Sequence, residues 1–444
     1  MTDSAAPCVV VLGTCDTKLD ELLYVHKLLT ETHHLRVKLV DIGRTAATHP
    51  AIAITQASIL AMGPSDPSFP HPIPDVRALS RNDLITALSS RAGPILASLA
   101  ATHDIHGIIA LGGSGGSALA AGVFAVLPLG FPKLLVSTMA AGDVGPFVRE
   151  ADVAVMYSVV DIAGLNDILC PILENAAAAV AGMARAHQAR IYAEAKAGKQ
   201  EKTRPTRRIA ITMFGVTTPA VTHAREVLAK YDCAPYVFHA TGTGGRAMER
   251  LVSEGFFDGV LDLTTTELAD ELVGGVLSAG PQRLEAAARK GVPQVVSVGA
   301  LDMVNFGPRD SVPEKWTRSE GEGKRKLYEH NPSVTLMRTT REECAQLGRT
   351  IAEKLRAANG AKAEVWLPRG GVSAMDVKGG PFEDREADEE LFRALKHRLA
   401  ECRGGKEQVK VVEREEDINN RAFVEALVGS LVRMMHLKPI EGGV

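Results

Sequence analysis

Three polar turns, each closing a short apolar run, carry residue types that bind anions. Gly112-Gly113-Ser114-Gly115-Gly116-Ser117 follows Ile108-Ile109-Ala110-Leu111 and opens an Ala/Leu-rich stretch. Glycine accepts positive φ and has no Cβ to keep a ligand off the backbone. A strand, a glycine turn and a helix in that order raise several N–H groups at the positive end of the helix. That end is a seat for phosphate or carboxylate. No Gly-Lys-Ser/Thr follows, and the glycines lack the spacing of a dinucleotide fingerprint. The turn Gly13-Thr14-Cys15-Asp16-Thr17-Lys18 ends the run Val9-Val10-Val11-Leu12. Lys18 can meet a phosphate as a point charge, and Asp16 can hold Mg²⁺ directly or through water. The plainer role for Asp16 or Thr17 is to cap a helix. Thr138-Met139-Ala140-Ala141-Gly142-Asp143 closes the third run, Lys133-Leu134-Leu135-Val136-Ser137.

The second half repeats the pattern. His239, Glu267, Asp302 and Asp376 each follow a separate apolar run, with Arg246 and Arg369 in two of the turns. These are the types for acid–base work on an anionic substrate, although each taken singly is commonly structural. The turns also correspond between halves. Gly215 with Thr217 and Thr218 answers Gly13 to Lys18, Gly242 to Gly245 answers Gly112 to Gly116, and Asp302 answers Asp143.

Repeated strand–turn–helix units must position these turns. They predict α/β architecture, specifically two Rossmann-like open parallel-sheet domains facing a shared cleft. In such sheets ligands sit at the carboxyl ends of the strands, where every turn named above falls. The charged, unpatterned stretch 198–208 reads as the linker, giving an N-terminal domain over 1–200 and a C-terminal domain over 209–444. Proline-rich Pro64 to Pro74 reads as an exposed loop or flap, and polar Phe306 to Pro332 as an excursion or lid. The alanine-rich stretch Glu174 to Ala197 reads as a long helix.

Bulk composition narrows the partners. The chain has 444 residues, 45% hydrophobic and 23% charged, ordinary values for a globular protein of two or three domains. A net charge of −3 and 5% aromatic residues argue against nucleic acid and an anionic membrane surface as partners. The six cysteines are scattered without a C-x-x-C pair, as reduced packing residues would be. The N-terminus lacks the blocks of a secretory signal, and the apolar run Ala118 to Phe131 is too short to span a bilayer. A cytoplasmic location is the expectation.

The segments Gly13 to Lys18, Gly112 to Ser117, Ser137 to Asp143, Met213 to Pro219, His239 to Arg246, Thr264 to Gly275, Gly299 to Gly307, His330 to Thr340 and Gly371 to Phe382 resemble a known family. It is the bacterial, fungal and plant family whose plant member is the tomato tobamovirus-resistance protein, and the likeness covers essentially the whole chain. The resemblance implies an ATP-binding N-terminal domain, a second α/β domain and a homodimer. Carried over by position, the nucleotide site takes Gly13, Thr14, Asp16, Thr17, Lys18, Gly112, Gly113, Ser114, Gly115, Gly116, Ser117, Thr138, Met139, Ala140, Gly142 and Asp143. The plant member has a further C-terminal barrel domain, so an antiviral role is not carried over. Two readings follow for the second half. ATP with Mg²⁺ serves an enzyme acting on a small acidic or sugar-like metabolite, or ATP stabilises a non-catalytic, nucleotide-sensing dimer.

Overall fold

Successive side chains of the first apolar run face opposite layers. Val9 and Val11 pack with Leu22, Val25, Leu173 and Val180, whereas Val10 and Leu12 pack with Leu88, Leu96, Val123 and Phe124. This is the two-residue alternation of a strand buried on both faces. The computed structural model describes residues 6–62, 76–197, 206–317, 325–358, 362–401 and 409–440. The chain divides into two units, Met1–Thr203 and Arg204–Val444.

The first unit is a parallel sheet of β1 (Cys8–Gly13), β2 (Arg36–Asp41), β3 (Ile52–Ile54), β4 (Gly107–Gly112), β5 (Lys133–Ser137) and β6 (Ala154–Tyr157). Its order, β3-β2-β1-β4-β5-β6, is that of dinucleotide-binding sheets, which take ligands where the order reverses, here between β1 and β4. Helices Cys15–Lys27 and Leu169–Ala197 cover one face, and Arg81–Ala101 and Ser114–Phe124 cover the other.

The second unit contains β7 (Arg207–Met213), β8 (Cys233–His239), β9 (Gly259–Thr264), β10 (Gln294–Gly299), β11 (Met303–Phe306), β12 (Leu327–Asn331), β13 (Val334–Arg338), β14 (Ala363–Pro368) and β15 (Lys410–Arg414). Six of them form a parallel sheet in the order β15-β14-β10-β9-β7-β8. Read from β8, this is the flavodoxin winding, with its switch point between β7 and β9. Ile209, Ile211, Leu261 and Leu263 pack under helices Thr218–Leu228 and Arg421–Met434. Val296, Val298, Val365 and Leu367 pack under Arg341–Lys354 and Arg385–Glu401. Both units are therefore the open parallel α/β sheets that the sequence predicts, wound in two different ways.

Several boundaries differ from expectation. The long helix begins at Leu169, because Asn166 Oδ1 accepts the N–H groups of Ile168 (3.0 Å) and Leu169 (2.9 Å) and starts it earlier. Arg207 and Arg208 belong to β7 rather than to the linker, anchored by Asp258, whose carboxylate takes Arg207 Nη1 at 3.0 Å and the Arg208 amide at 2.9 Å. Part of the expected excursion is ordered as β12, which with β11 and β13 makes a small antiparallel sheet. Its exposed polar side chains hide it from an apolar count. The stretches 63–75, 198–205, 318–324 and 402–408 lie outside the described residues, and with them the expected proline-rich loop and most of the linker. Helix Arg81–Ala101 is long and apolar enough by composition to cross a membrane, but Leu84, Leu88, Leu96 and Ala100 bury it against the first sheet.

Candidate functional site

Where β1 and β4 part, the turns that follow them line a cleft of about 690 Å³. Thr14, Asp16, Thr17 and Lys18 come from the first turn, and Gly113, Ser114, Gly115 and Gly116 from the glycine turn. Thr138 and Met139 come from the turn after β5. Gly112 and Ser117 are buried beneath them. A Cβ on Gly112 would stand 2.9 Å from Gly116 Cα, so only glycine lets the strand end meet the helix so closely. Ser117 Oγ and Ser137 Oγ are 2.7 Å apart, and Ser137 Oγ accepts the Met139 amide at 3.0 Å, which ties the second turn to the third. Gly13, like Gly112, ends its strand behind the lining residues. Ala140, Gly142 and Asp143 are likewise not among those residues, and Asp143 accepts the Gly145 amide at 2.9 Å instead.

The cleft holds charge that the sequence reading missed. Arg44 and Arg81 line it beside Lys18. Lys18 Nζ donates to the Ile162 carbonyl, and Arg81 Nη2 donates to Ser114 Oγ at 2.9 Å. Arg44 Nη1 donates to the carbonyls of Arg77 (3.0 Å) and Leu79 (2.9 Å). Among the described residues no ion pair joins any of the three to a carboxylate. Asp16 and Asp161 are the carboxylates on the wall, and Asp16 Oδ2 accepts the Thr45 amide at 2.9 Å. Asp41, at the end of β2, is fully buried and committed to the backbone. Its Oδ1 takes the amides of Cys15 (3.1 Å) and Gly43 (2.9 Å), and its Oδ2 takes that of Ala47 (3.1 Å). Burial and this carboxylate push the Cys15 thiol up to about 12, so it is an uncharged packing residue. Ile42, Leu84, Ile85 and Leu119 make the apolar wall.

The second unit does not gather its four expected residues. Glu267 is fully buried, and its Oε1 accepts the amides of Gly242 (2.7 Å) and Gly245 (3.0 Å). Its Oε2 accepts Arg283 Nε at 2.6 Å, and Arg283 reaches on to both oxygens of Asp262. Burial pushes the Glu267 carboxyl up, against the pull of Arg283. The glycine turn around Gly242, whose φ of +84° calls for glycine, thus already holds a carboxylate of its own chain. Asp302 and Asp376 do meet, around Arg338, together with Asp388, which the sequence did not single out. Both are buried. Asp302 Oδ2 accepts Ser373 Oγ at 2.8 Å, and Asp376 Oδ2 accepts the Val372 amide at 2.9 Å. Burial pushes Asp302 up to about 7. His239 is exposed, its ring 5.6 Å from that of Phe214. The turn after β14 packs over the turn after β7, with the Ala374 amide donating to the Val216 carbonyl at 3.1 Å. Among the described residues no group of three or more His, Cys, Asp or Glu is placed to hold a metal ion.

Comparison with known proteins matches both units to one family. The model described as uncharacterised protein family (UPF0261) N-terminal domain matches residues 7–189, and that of the C-terminal domain matches 206–435. A UPF0261 protein of Clostridium tetani is 41% identical over 96% of this chain and 98% of its own length. One from Rhizobium meliloti is 44% identical over 87% of this chain and 90% of its own. The ToMV resistance protein Tm-1(GCR237) of Solanum lycopersicum is 37% identical over 97% of this chain, which spans 56% of that protein.

Proposed function

The chain belongs to the UPF0261 family, and from the cleft of its first unit we propose that it binds ATP with Mg²⁺. One observation carries this reading. Lys18, Arg44 and Arg81 converge with the glycine turn at the switch point of the sheet, bonded to carbonyl or hydroxyl oxygens and not to carboxylates. A polyphosphate supplies the negative charge that such an arrangement lacks, and first-turn amides of helix Ser114–Phe124 are ready donors to it. The volume falls in the range of roughly 300–1,000 Å³ usual for small-molecule sites. Ile42, Leu84, Ile85 and Leu119 offer an apolar surface to the base. Asp16 and Asp161 give two carboxylates, which suits Mg²⁺, an ion commonly held by one or two carboxylates with the rest of its shell from phosphate and water. When bound, the ion neutralises phosphate charge.

Calorimetry tests the reading directly. Saturable heat with ATP, tighter with Mg²⁺ and abolished in Gly115→Val, is the expected result, and no heat at millimolar ATP overturns it.

The non-catalytic alternative, in which ATP stabilises a dimer, draws on the burial of Glu267, Asp302 and Asp376, which leaves His239 as the exposed member of the four. Exposed apolar side chains along and beyond edge strand β6, namely Tyr157, Val159, Leu165 and Ile168, supply a surface for a second copy. Phosphate or ADP release in the presence of sugar acids supports the enzyme. ATP-dependent dimerisation in size-exclusion chromatography without release supports the sensor.

A further inference from the structure

The loop that follows β6 holds a backbone conformation that its residue types do not favour. Val159 has a φ of +62°, and among the described non-glycine residues with positive φ it is the β-branched one. In the left-handed region Cβ crowds the following carbonyl, and a β-branched side chain makes the crowding worse, whereas glycine takes the same φ freely. Such conformations persist where the surroundings over-determine them. The loop is held in that way. The Val160 amide donates back to the Ser158 carbonyl at 2.7 Å, which closes a three-residue turn with Val159 at its tip. Ser158 Oγ donates to the Val160 carbonyl at 2.7 Å. Beyond the turn the Ile162 side chain is fully buried, its carbonyl accepts Lys18 Nζ, and the Gly164 amide donates to Glu21 Oε1. Lys18 and Glu21 belong to one helix, Cys15–Lys27, which therefore grips the loop twice.

The core gains nothing from the side chain held at this cost. Val160 and Ile162 pack with Leu22, Leu169 and Leu173, but Val159 does not join them and is 57% exposed. It lines the cleft instead. Met139, from the turn after the neighbouring strand β5, lines the same cleft and is 43% exposed. Aliphatic side chains offer a phosphate no hydrogen bond. They pack against the face of a base or a ribose, and gain by leaving water when they do. We propose that Val159 is a nucleotide-contact residue that packs against the nucleoside part of the ligand, and that the first unit gives up stability to present it. The proposal rests on the nucleotide reading of the cleft.

Removing this side chain moves stability and affinity in opposite directions, which a residue of purely structural use would not do. Val159→Gly relieves the backbone and takes away both methyl groups. Its Tm without ligand is expected to rise by about 2–4 °C. ATP with Mg²⁺, titrated by calorimetry, is expected to bind it roughly tenfold more weakly. Val159→Ala keeps the loop stiffer than glycine does and is expected to lose the same affinity, which separates the lost contact from a loosened loop. Inorganic tripolyphosphate has no nucleoside and is expected to bind both variants as it binds the wild type.

A lower Tm in Val159→Gly overturns the proposal, and so does ATP affinity unchanged in both variants. An equal loss of ATP and tripolyphosphate overturns it as well, because the loop then acts through its hold on Lys18. A variant that loosens self-association at unchanged ATP affinity assigns Val159 to a second copy. In each of these cases wild-type heat with ATP leaves the nucleotide reading standing, whereas a wild type without that heat removes both.

Discussion

The carboxylate of Glu267 rests on the Gly245 amide at 3.0 Å, filling from within the helix end that an open glycine turn offers to a ligand. Arg283 holds it there from the other side at 2.6 Å. Removing Glu267 leaves Arg283 its pair with Asp262 but takes the acceptor from the buried Gly242 and Gly245 amides and from Arg283 Nε, which costs about 1–3 kcal/mol for a buried group left unsatisfied. Glu267→Ala is expected to lose stability on that scale in urea unfolding, and a loss below about 1 kcal/mol contradicts the network as described.

Two glycines of the first unit should behave differently. A side chain at Gly115 meets only the guanidinium of Arg81, 2.8 Å from the Cβ position, and that group can swing away. Gly115→Val is therefore expected to fold with a near-normal Tm and to lose ATP. A Cβ at Gly112 meets the Gly116 backbone, which cannot move aside. Gly112→Ala is expected to lose about 1–3 kcal/mol of stability, read from thermal unfolding. Equal Tm losses in the two variants contradict this division.

Arg81 and Arg44 give the nucleotide reading a charge test. Hydrogen bonds to charged groups contribute about 1.5–3 kcal/mol each, so Arg81→Gln should weaken ATP by roughly ten- to a hundredfold. Arg44→Gln is expected to act in the same direction. AMP, with less phosphate charge, should lose less than ATP in both. Unchanged ATP affinity by calorimetry removes these arginines from the site.

Asp302 predicts a pH dependence of stability. Burial raises its carboxyl to about 7 in the folded chain, above the ordinary range near 4. The folded state then binds the proton more tightly, so this group favours folding most at low pH. Its contribution falls as pH rises to about 7, by at most about 1.4 kcal/mol per unit, and is flat above. Asp302→Asn keeps an oxygen for Ser373 Oγ and should lessen the slope of stability between pH 5 and 7 in thermal unfolding, leaving the share of the other raised carboxyls, Asp270 and Asp388. A variant slope equal to wild type assigns the proton elsewhere.

The sheets were legible because their strands are buried on both faces. β1 and β4 are unbroken apolar runs closed by polar turns, and such runs announce themselves. β12 does not, because its side chains Tyr328, Glu329 and His330 are exposed and read as loop. At the site, residue types close to one turn were legible, whereas their commitments were not. Nothing local tells that Glu267 spends its oxygens on Gly242 and Gly245, since those glycines lie more than 20 positions away. Arg44 had a signal that went unused, standing three residues past Asp41, which closes the short run Val37-Lys38-Leu39-Val40. Arg81 had none, because its position over Ser114 depends on how helix Arg81–Ala101 packs beside Ser114–Phe124.

The two windings also bear on how the halves compare. In the first sheet the glycine turn follows β4, which flanks β1 on the side away from β2. In the second it follows β8, the counterpart of β2, at the outer edge beside β7. The glycine turns that answer one another in the sequence therefore stand on opposite sides of the two opening strands, and a ligand found in one half is no guide to what the other holds.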